Sequence, residues 1–237
     1  MKLISYNLEK HRAVEELSGL IRKHLPEAVC IQEARVPELP SEIEGLSLVS
    51  STPRNRLGLA IYADTERYEP GDSFMRSFDK TLHDIIAAPA EHRLLGTVLR
   101  DRSTGEDSVV ASFHASPLTA SNNHRRMQIV QSLATIESIA PEAPFIMAGD
   151  YNYPLFRQGL HRSLAAAGYD LTFSDLGTYR KSIFGGHFDF ITSRGYSVSS
   201  VQTLKQKASD HKPILVSAEL RGDFPSDSLE TVEIAAP

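Results

Sequence analysis

The chain has 237 residues, 41% of them hydrophobic, and a formal net charge of −5 at neutral pH. That length and apolar content suffice for one large domain with a substantial core, and no uncharged apolar run is long enough to span a bilayer. The charge excludes the broadly basic footprint of a protein that coats nucleic acid, but leaves room for a nuclease whose bound metal and local patches offset the substrate's charge.

The amino end has no signal-peptide core and reads as the first strand. Lys2–Leu8 alternates, with Ile4, Tyr6 and Leu8 on one face and Ser5 and Asn7 on the other. Val14, Leu17, Leu20, Ile21 and Leu25 have helical spacing over Ala13–Leu25, closed by Pro26. Ala28–Glu33 reads as a short strand ending in Gln32-Glu33. Its Cys30, the single cysteine, lies in an apolar setting and reads as a buried, inert thiol, which fits a cytoplasmic protein. Further strands are expected at Ser47–Ser50, Leu57–Ala63, Leu94–Arg100, Val109–His114, Phe145–Asp150, Phe188–Thr192, Ser197–Leu204 and Ile214–Leu220. Helices are expected at His124–Ile139, capped by Asn122 or Asn123, and at Phe156–Ala167. Asp64–Arg93 has poor periodicity and is expected to be a surface loop with a small hairpin. The order of elements is mixed α/β with an excess of strands, unlike the regular alternation of a doubly wound sheet. Residues 1–220 are expected to form one domain. Residues 221–237 carry a net charge of −3 and read as a loosely ordered acidic tail.

Several strands end in polar residues. Phe145-Ile146-Met147-Ala148-Gly149-Asp150-Tyr151-Asn152-Tyr153-Pro154 is a buried strand that closes on a carboxylate and a carboxamide two residues apart, hence on one face. Alone it reads equally as an Asx-turn before proline. Asn7, Glu33 and His114 end other strands, Asp189 lies between Phe188 and Phe190, and Ser209-Asp210-His211-Lys212-Pro213 precedes the last. A carboxylate between two phenylalanines is misplaced in an ordinary core, because a buried carboxylate needs a partner. Carboxylates, carboxamides and histidines at strand ends suit a hard divalent cation and acid–base groups around a phosphate.

In this ordered series the sequence resembles the endonuclease/exonuclease/phosphatase superfamily, with the DNase I-like fold. The pieces are Ser5-Tyr6-Asn7, Ile31-Gln32-Glu33, Glu91-His92-Arg93, Phe113-His114, Gly149-Asp150-Tyr151-Asn152, Phe188-Asp189-Phe190-Ile191 and Ser209-Asp210-His211-Lys212-Pro213. The resemblance implies a four-layer sandwich of two mixed sheets flanked by helices, with the site at its rim. It implies Glu33 as the main metal ligand, with Asn7 and Asp210 beside it, and Mg²⁺ as the cofactor with Mn²⁺ as the alternative. Asp150 and Asn152 match the pair at the phosphate and attacking water, with Asp150 also a candidate ligand. His211 matches the histidine at the scissile phosphate, with Asp189 orienting it. His114 matches a second phosphate-facing histidine, with Glu91 as its carboxylate.

The sequence also departs from the family's subgroups. Tyr6 stands where many members carry tryptophan, which reads as a packing change. His114 stands where members specialised for abasic DNA carry tyrosine. Phe190 stands where inositol-polyphosphate phosphatases and DNase I carry arginine. The expected activity is metal-dependent phosphodiester hydrolysis of DNA or RNA by a monomer with no membrane span and no protein partner. Hydrolysis of a nucleotide, phospholipid headgroup or sugar phosphate is the alternative, and a non-catalytic scaffold of the same fold is the third reading. Arg54 with Arg56, Arg125 with Arg126, and Tyr179-Arg180-Lys181 read either as grips for a polyanion or as solvated surface. The histidines at 11, 24, 83, 92, 124, 161 and 187 read as structural or exposed.

Overall fold

The computed structural model of the chain describes residues 1–53, 57–78, 91–181 and 184–222. Seven strands form one mixed sheet: β1 (Lys2–Asn7), β2 (Ala28–Ala34), β3 (Glu42–Ile43), β4 (Leu46–Ser51), β5 (Gly58–Ala63), β14 (Tyr196–Thr203) and β15 (Ile214–Leu220), in the order β14-β15-β1-β2-β5-β4-β3. Six strands form the second: β6 (Tyr68–Arg76), β7 (Leu94–Asp101), β8 (Asp107–His114), β9 (Phe145–Asp150), β10 (Asp170–Phe173) and β13 (Asp189–Arg194), in the order β10-β13-β9-β8-β7-β6. A two-stranded ribbon, β11 (Tyr179–Lys181) with β12 (Phe184–Gly186), stands apart.

The period-two alternation of the strands builds four layers. Leu3, Cys30, Ile61, Val110, Ile146, Ala148, Ile191 and Val216 form the core between the sheets. The alternate residues of the first sheet, Ile4, Tyr6, Ile31 and Tyr62, pack on Leu17 and Ile21 of helix α1 (Glu16–His24). Those of the second sheet, Val109, Phe145 and Met147, pack on helices α2 (Asn122–Ile139) and α3 (Arg157–Ala166) through Ile129, Leu133, Leu160 and Leu164. The expected sandwich of two mixed sheets between helices is therefore the observed architecture.

Three sequence expectations are corrected. The segment from Asp64 to Arg93, expected to be a surface loop with a small hairpin, contains β6, paired antiparallel with β7 over most of its length, and its residues 79–90 lie outside the described residues. β6 is an outermost strand with seven exposed residues and a register shift between Pro70 and Ser73, so it shows no apolar alternation. α2 is capped by Ser121, whose hydroxyl accepts the His124 N–H at 3.2 Å, and not by Asn122 or Asn123. Arg125 is buried rather than a surface grip: its guanidinium donates to the carbonyls of Pro117 and Ala120. Arg54, Arg56, His83 and the tail from residue 223 lie outside the described residues, as do the side chains of Arg180 and Lys181.

Polar contacts cross the core directly beneath the rim. The Gln32 amide nitrogen donates to Ser112 Oγ at 2.9 Å and to Ser5 Oγ at 3.2 Å, and Ser112 donates on to the Ile31 carbonyl at 3.0 Å. All three side chains are buried. Gln32→Ala should therefore cost about 1–3 kcal/mol, because it leaves buried hydroxyls without their partner; urea denaturation reads this, and an unchanged midpoint would refute the brace.

A second constraint is Gly149. A Cβ there would overlap the carbonyl oxygen of Phe113, its register partner on β8. The missing side chain lets β9 lie close on β8 just where both strands end. Gly149→Ala should lower stability by about 3 kcal/mol or more, the range of overpacked cores, and should impair the site next to it. A variant with unchanged denaturation would show that the strands can separate without penalty.

Candidate active site

The site is built from the ends of both sheets. In the second sheet, parallel pairing of β8 and β9 sets His114 level with Asp150, and antiparallel pairing of β9 and β13 sets Asp189 level with Asp150. Three chemically active residues thus stand in one row across three strands. In the first sheet, β1 ends on Asn7, level with Gln32, and Glu33 follows in β2. Asn7 joins the two sheets, its amide nitrogen lying 3.1 Å from Asp150 Oδ2 and 3.4 Å from Glu33 Oε1.

Asp150 Oδ2 is the hub. His211 Nε2 lies 3.5 Å from it and His114 Nε2 3.7 Å; the latter is also 3.8 Å from Glu33 Oε1. The other Asp150 oxygen accepts the Asn152 N–H at 2.9 Å, and the Asn152 amide faces the Ala115 carbonyl at 3.4 Å. His211 Nδ1 lies 2.8 Å from Asp189 Oδ2. Thr178 anchors that pair: its hydroxyl accepts the N–H groups of Phe188 and Asp189, and its carbonyl accepts that of Lys212. Tyr151 points away from the site. It stacks on Phe190 and bonds Thr192, fixing the turn that presents Asp150 and Asn152.

The segment between β1 and α1 holds the remaining side. Glu9, Lys10 and His11 all have positive φ, at 44°, 58° and 73°. Left-handed backbone costs about 1–2 kcal/mol for each non-glycine residue, so long-range contacts must hold this turn. They are present. The Lys10 N–H donates to Glu33 Oε2 at 2.9 Å and the Arg35 N–H to His11 Nδ1, in addition to the local bond from the Glu9 N–H to Asn7 Oδ1. Glu9 Oε2 accepts the Asp210 N–H at 2.9 Å, and Glu16 accepts the N–H groups of Lys207 and Ala208. Ser209 Oγ donates to the Asn7 carbonyl and accepts the His211 N–H. Two carboxylates near the amino end thereby fix the 207–211 turn through its backbone.

Electrostatics divides the titratable groups. Burial pushes the Asp150 carboxyl up to about 7; the imidazole of His211 opposes this, while the neighbouring Asp189 and Glu33 charges add to it. Burial disfavours the charged form of His211, yet Asp189 and Asp150 outweigh it and raise the imidazole to about 10. Burial lowers His114 to about 4, with Arg93 and His211 adding to the effect and Glu33 opposing it. At neutral pH the cationic histidine is therefore His211, and His114 is a neutral ring.

Asn7, Glu33, His114, Asp150, Asn152, Asp189 and His211 are thus brought together. Asp210 stands on the same turn, half-buried. Glu91 is half-buried but makes no ion pair or hydrogen bond with His114 among the described residues, whose carboxylate neighbours are Glu33 and Asp150. Arg93, two residues on, bonds the carbonyls of His114 and Ala115. Sequence reasoning missed Glu9, Lys10, Glu16, Arg93 and Thr178. The dense charge of Glu9-Lys10-His11-Arg12 immediately after Asn7 was the available signal for the first two. Asp150, Asp189 and His211 could themselves ligate a cation, their ligand atoms lying within 4.8 Å of one another. Asp189 and His211 are also bonded to each other at 2.8 Å.

An 80-residue stretch is 39% identical to a UPF0294 protein of Klebsiella pneumoniae (strain 342), covering 31% of the chain and only 28% of that protein. The fold matches a mannosyl-6-phosphatase of Bacteroides thetaiotaomicron with a TM-score of 0.72 at 15% identity, over 93% of this chain and 100% of that one. It matches D. rerio TDP2 complexed with a single-strand DNA product with a TM-score of 0.66 at 16% identity, over 92% and 98% of the two chains. At those identities the likeness is one of fold. The model of the Endonuclease/Exonuclease/phosphatase family matches residues 4–211, which takes in the strand ends from Asn7 to His211, and the chain belongs to that family.

Proposed function

We propose that the chain is a divalent-metal-dependent phosphodiesterase acting on nucleic acid, with Asn7, Glu33, His114, Asp150, Asn152, Asp189, Asp210 and His211 as its working set. The observation that carries this reading is the convergence of Asn7, His114 and His211 on one buried carboxylate oxygen of Asp150, with Asp189 behind His211. Family membership supports phosphoester hydrolysis.

The residues fit a hard cation. Their donors are carboxylate and carboxamide oxygens, and Asp150 is buried close to the Asp189 and Glu33 charges, which add to the burial that raises its carboxyl. Glu33 would hold the ion, with Asn7 and Asp210 beside it. When bound, a Mg²⁺ or Mn²⁺ ion supplies Lewis-acid polarisation of the phosphoryl oxygens. The protein's own groups would do the rest. His211, kept charged by Asp189, would donate a hydrogen bond to a phosphoryl oxygen as charge develops there. Asp150, tuned close to neutrality, would take a proton from the attacking water. Asn152 would donate from the opposite side of the same turn. Neutral His114 would donate one ring N–H near the leaving oxygen.

A small phosphoester is the second reading. It is favoured by the net charge of −2 over residues 1–220, which lacks the cationic excess of a duplex-binding surface. Nicking of supercoiled plasmid separates the two. Nicking in Mg²⁺ that EDTA abolishes is expected, with activity falling steeply as salt rises. No nicking, with cleavage of bis(p-nitrophenyl) phosphate retained, would move the substrate to small phosphoesters. His211→Ala and Asp210→Ala should each lower turnover by roughly two to four orders of magnitude while the protein still folds. Near-full activity in either variant would remove these residues from the machinery, and calorimetry showing no Mg²⁺ binding would favour an inactive scaffold.

A further inference from the structure

The left-handed turn after β1 contains a cation with no assigned work. A turn that needed only its backbone shape would be made most readily with glycine. Here it is made with Glu9, Lys10 and His11, and two of those side chains have partners. Glu9 binds the Asp210 N–H and Arg12, while His11 binds the Arg35 N–H and faces Glu38. The exposed Lys10 side chain has neither hydrogen bond nor ion pair among the described residues. Its backbone is fixed, because its N–H donates to Glu33 Oε2. An exposed ammonium is thus tethered through its backbone to the residue proposed to hold the metal, beside the cluster that contains the Glu33, Asp150 and Asp189 carboxylates.

We propose that Lys10 binds an anionic group of the substrate next to the scissile phosphate, namely a flanking phosphate of a polynucleotide, and so selects nucleic acid over single-phosphate esters. This rests on the phosphodiesterase reading of the same site. The scissile phosphate is already supplied with His211 and the carboxamides of Asn7 and Asn152. A further cation on the residue bonded to Glu33 suits a second phosphate, which a polynucleotide carries and an isolated ester lacks. The left-handed backbone at Lys10 is the kind of strain that is retained where function requires it.

The test is fluorescence anisotropy of a fluorescein-labelled single-stranded oligonucleotide, in the His211→Ala background so that binding is read without cleavage, with and without Lys10→Gln. Thermal melting confirms that each variant is folded. Lys10→Gln should weaken binding by about 5- to 10-fold and lower the slope of log Kd against log salt by about one, the signature of one lost phosphate contact. Lys10→Arg should retain binding. Lys10→Gly should bind as weakly as Lys10→Gln without a lower Tm, since glycine accepts the same backbone. With His211 intact, cleavage of bis(p-nitrophenyl) phosphate should be unaffected by Lys10→Gln. Unchanged oligonucleotide affinity and slope would overturn the proposal. So would equal losses on both substrates, which would put Lys10 at the scissile phosphate. Absence of oligonucleotide binding with the small diester still cleaved would overturn it too, and would leave the hydrolase reading intact. Failure to cleave any phosphodiester would sink the hydrolase reading, while the binding measurement would still decide the role of Lys10.

Discussion

The structure turns on one buried carboxylate. Asp150 is 2% exposed and ends the central strand of the second sheet. A buried carboxylate is tolerated only with compensating partners. Here the partners come from every part of the rim: Asn7 from the other sheet, His114 from the adjacent strand, His211 from the turn before β15, and the backbone of Asn152. The demand for compensation and the assembly of a site are the same set of contacts. Gly149 meets the steric condition for it, since only a residue without a side chain lets β9 lie this close to Phe113. The Gln32–Ser112 brace meets the polar condition one layer below, holding the two sheets in register where Asn7 must reach across.

Much of this was readable in the sequence because β periodicity makes exceptions visible. In β1 and β9 the inward series runs Leu3, Ser5, Asn7 and Ile146, Ala148, Asp150, so the polar residue at the end of each series must face the seam between the sheets. Asp189 was visible for the same reason, as a carboxylate in an apolar strand. β6 was not visible, because an outermost strand has little to bury and therefore no alternation to show. The pairing of His114 with Glu91 was expected from the family resemblance of Glu91-His92-Arg93. Its observed neighbours, Glu33 and Asp150, are set by sheet packing, which local pattern does not carry.

The least legible part was the turn from Glu9 to His11. Left-handed backbone is usually announced by glycine or asparagine, and neither occurs there. The conformation is imposed by distant partners, Glu33, Arg35 and Asp210, none of which is local in sequence. Among the described residues nine non-glycine positions have positive φ, and five of them, Glu9, Lys10, His11, Glu33 and Asn152, lie at the site. Such clustering is what a site under functional constraint produces, whereas strain from chain reversal alone would spread over all the surface turns.

This distribution of strain separates what the sandwich does from what its edges do. The inter-sheet core and the rows of aligned strand ends fix Asn7, Asp150 and Asp189 with little conformational freedom, and all three lie within the stretch that the family matches. The strained turn and the 207–211 turn are built from this chain's own acids, Glu9 and Glu16, acting on backbone amides. A carboxylate that accepts amide hydrogens holds a turn through its backbone and leaves the side chains of the 207–211 turn out of that contact. On the proposed reading the rigid seam would supply the reaction chemistry, and the residues that border it would select what is brought there.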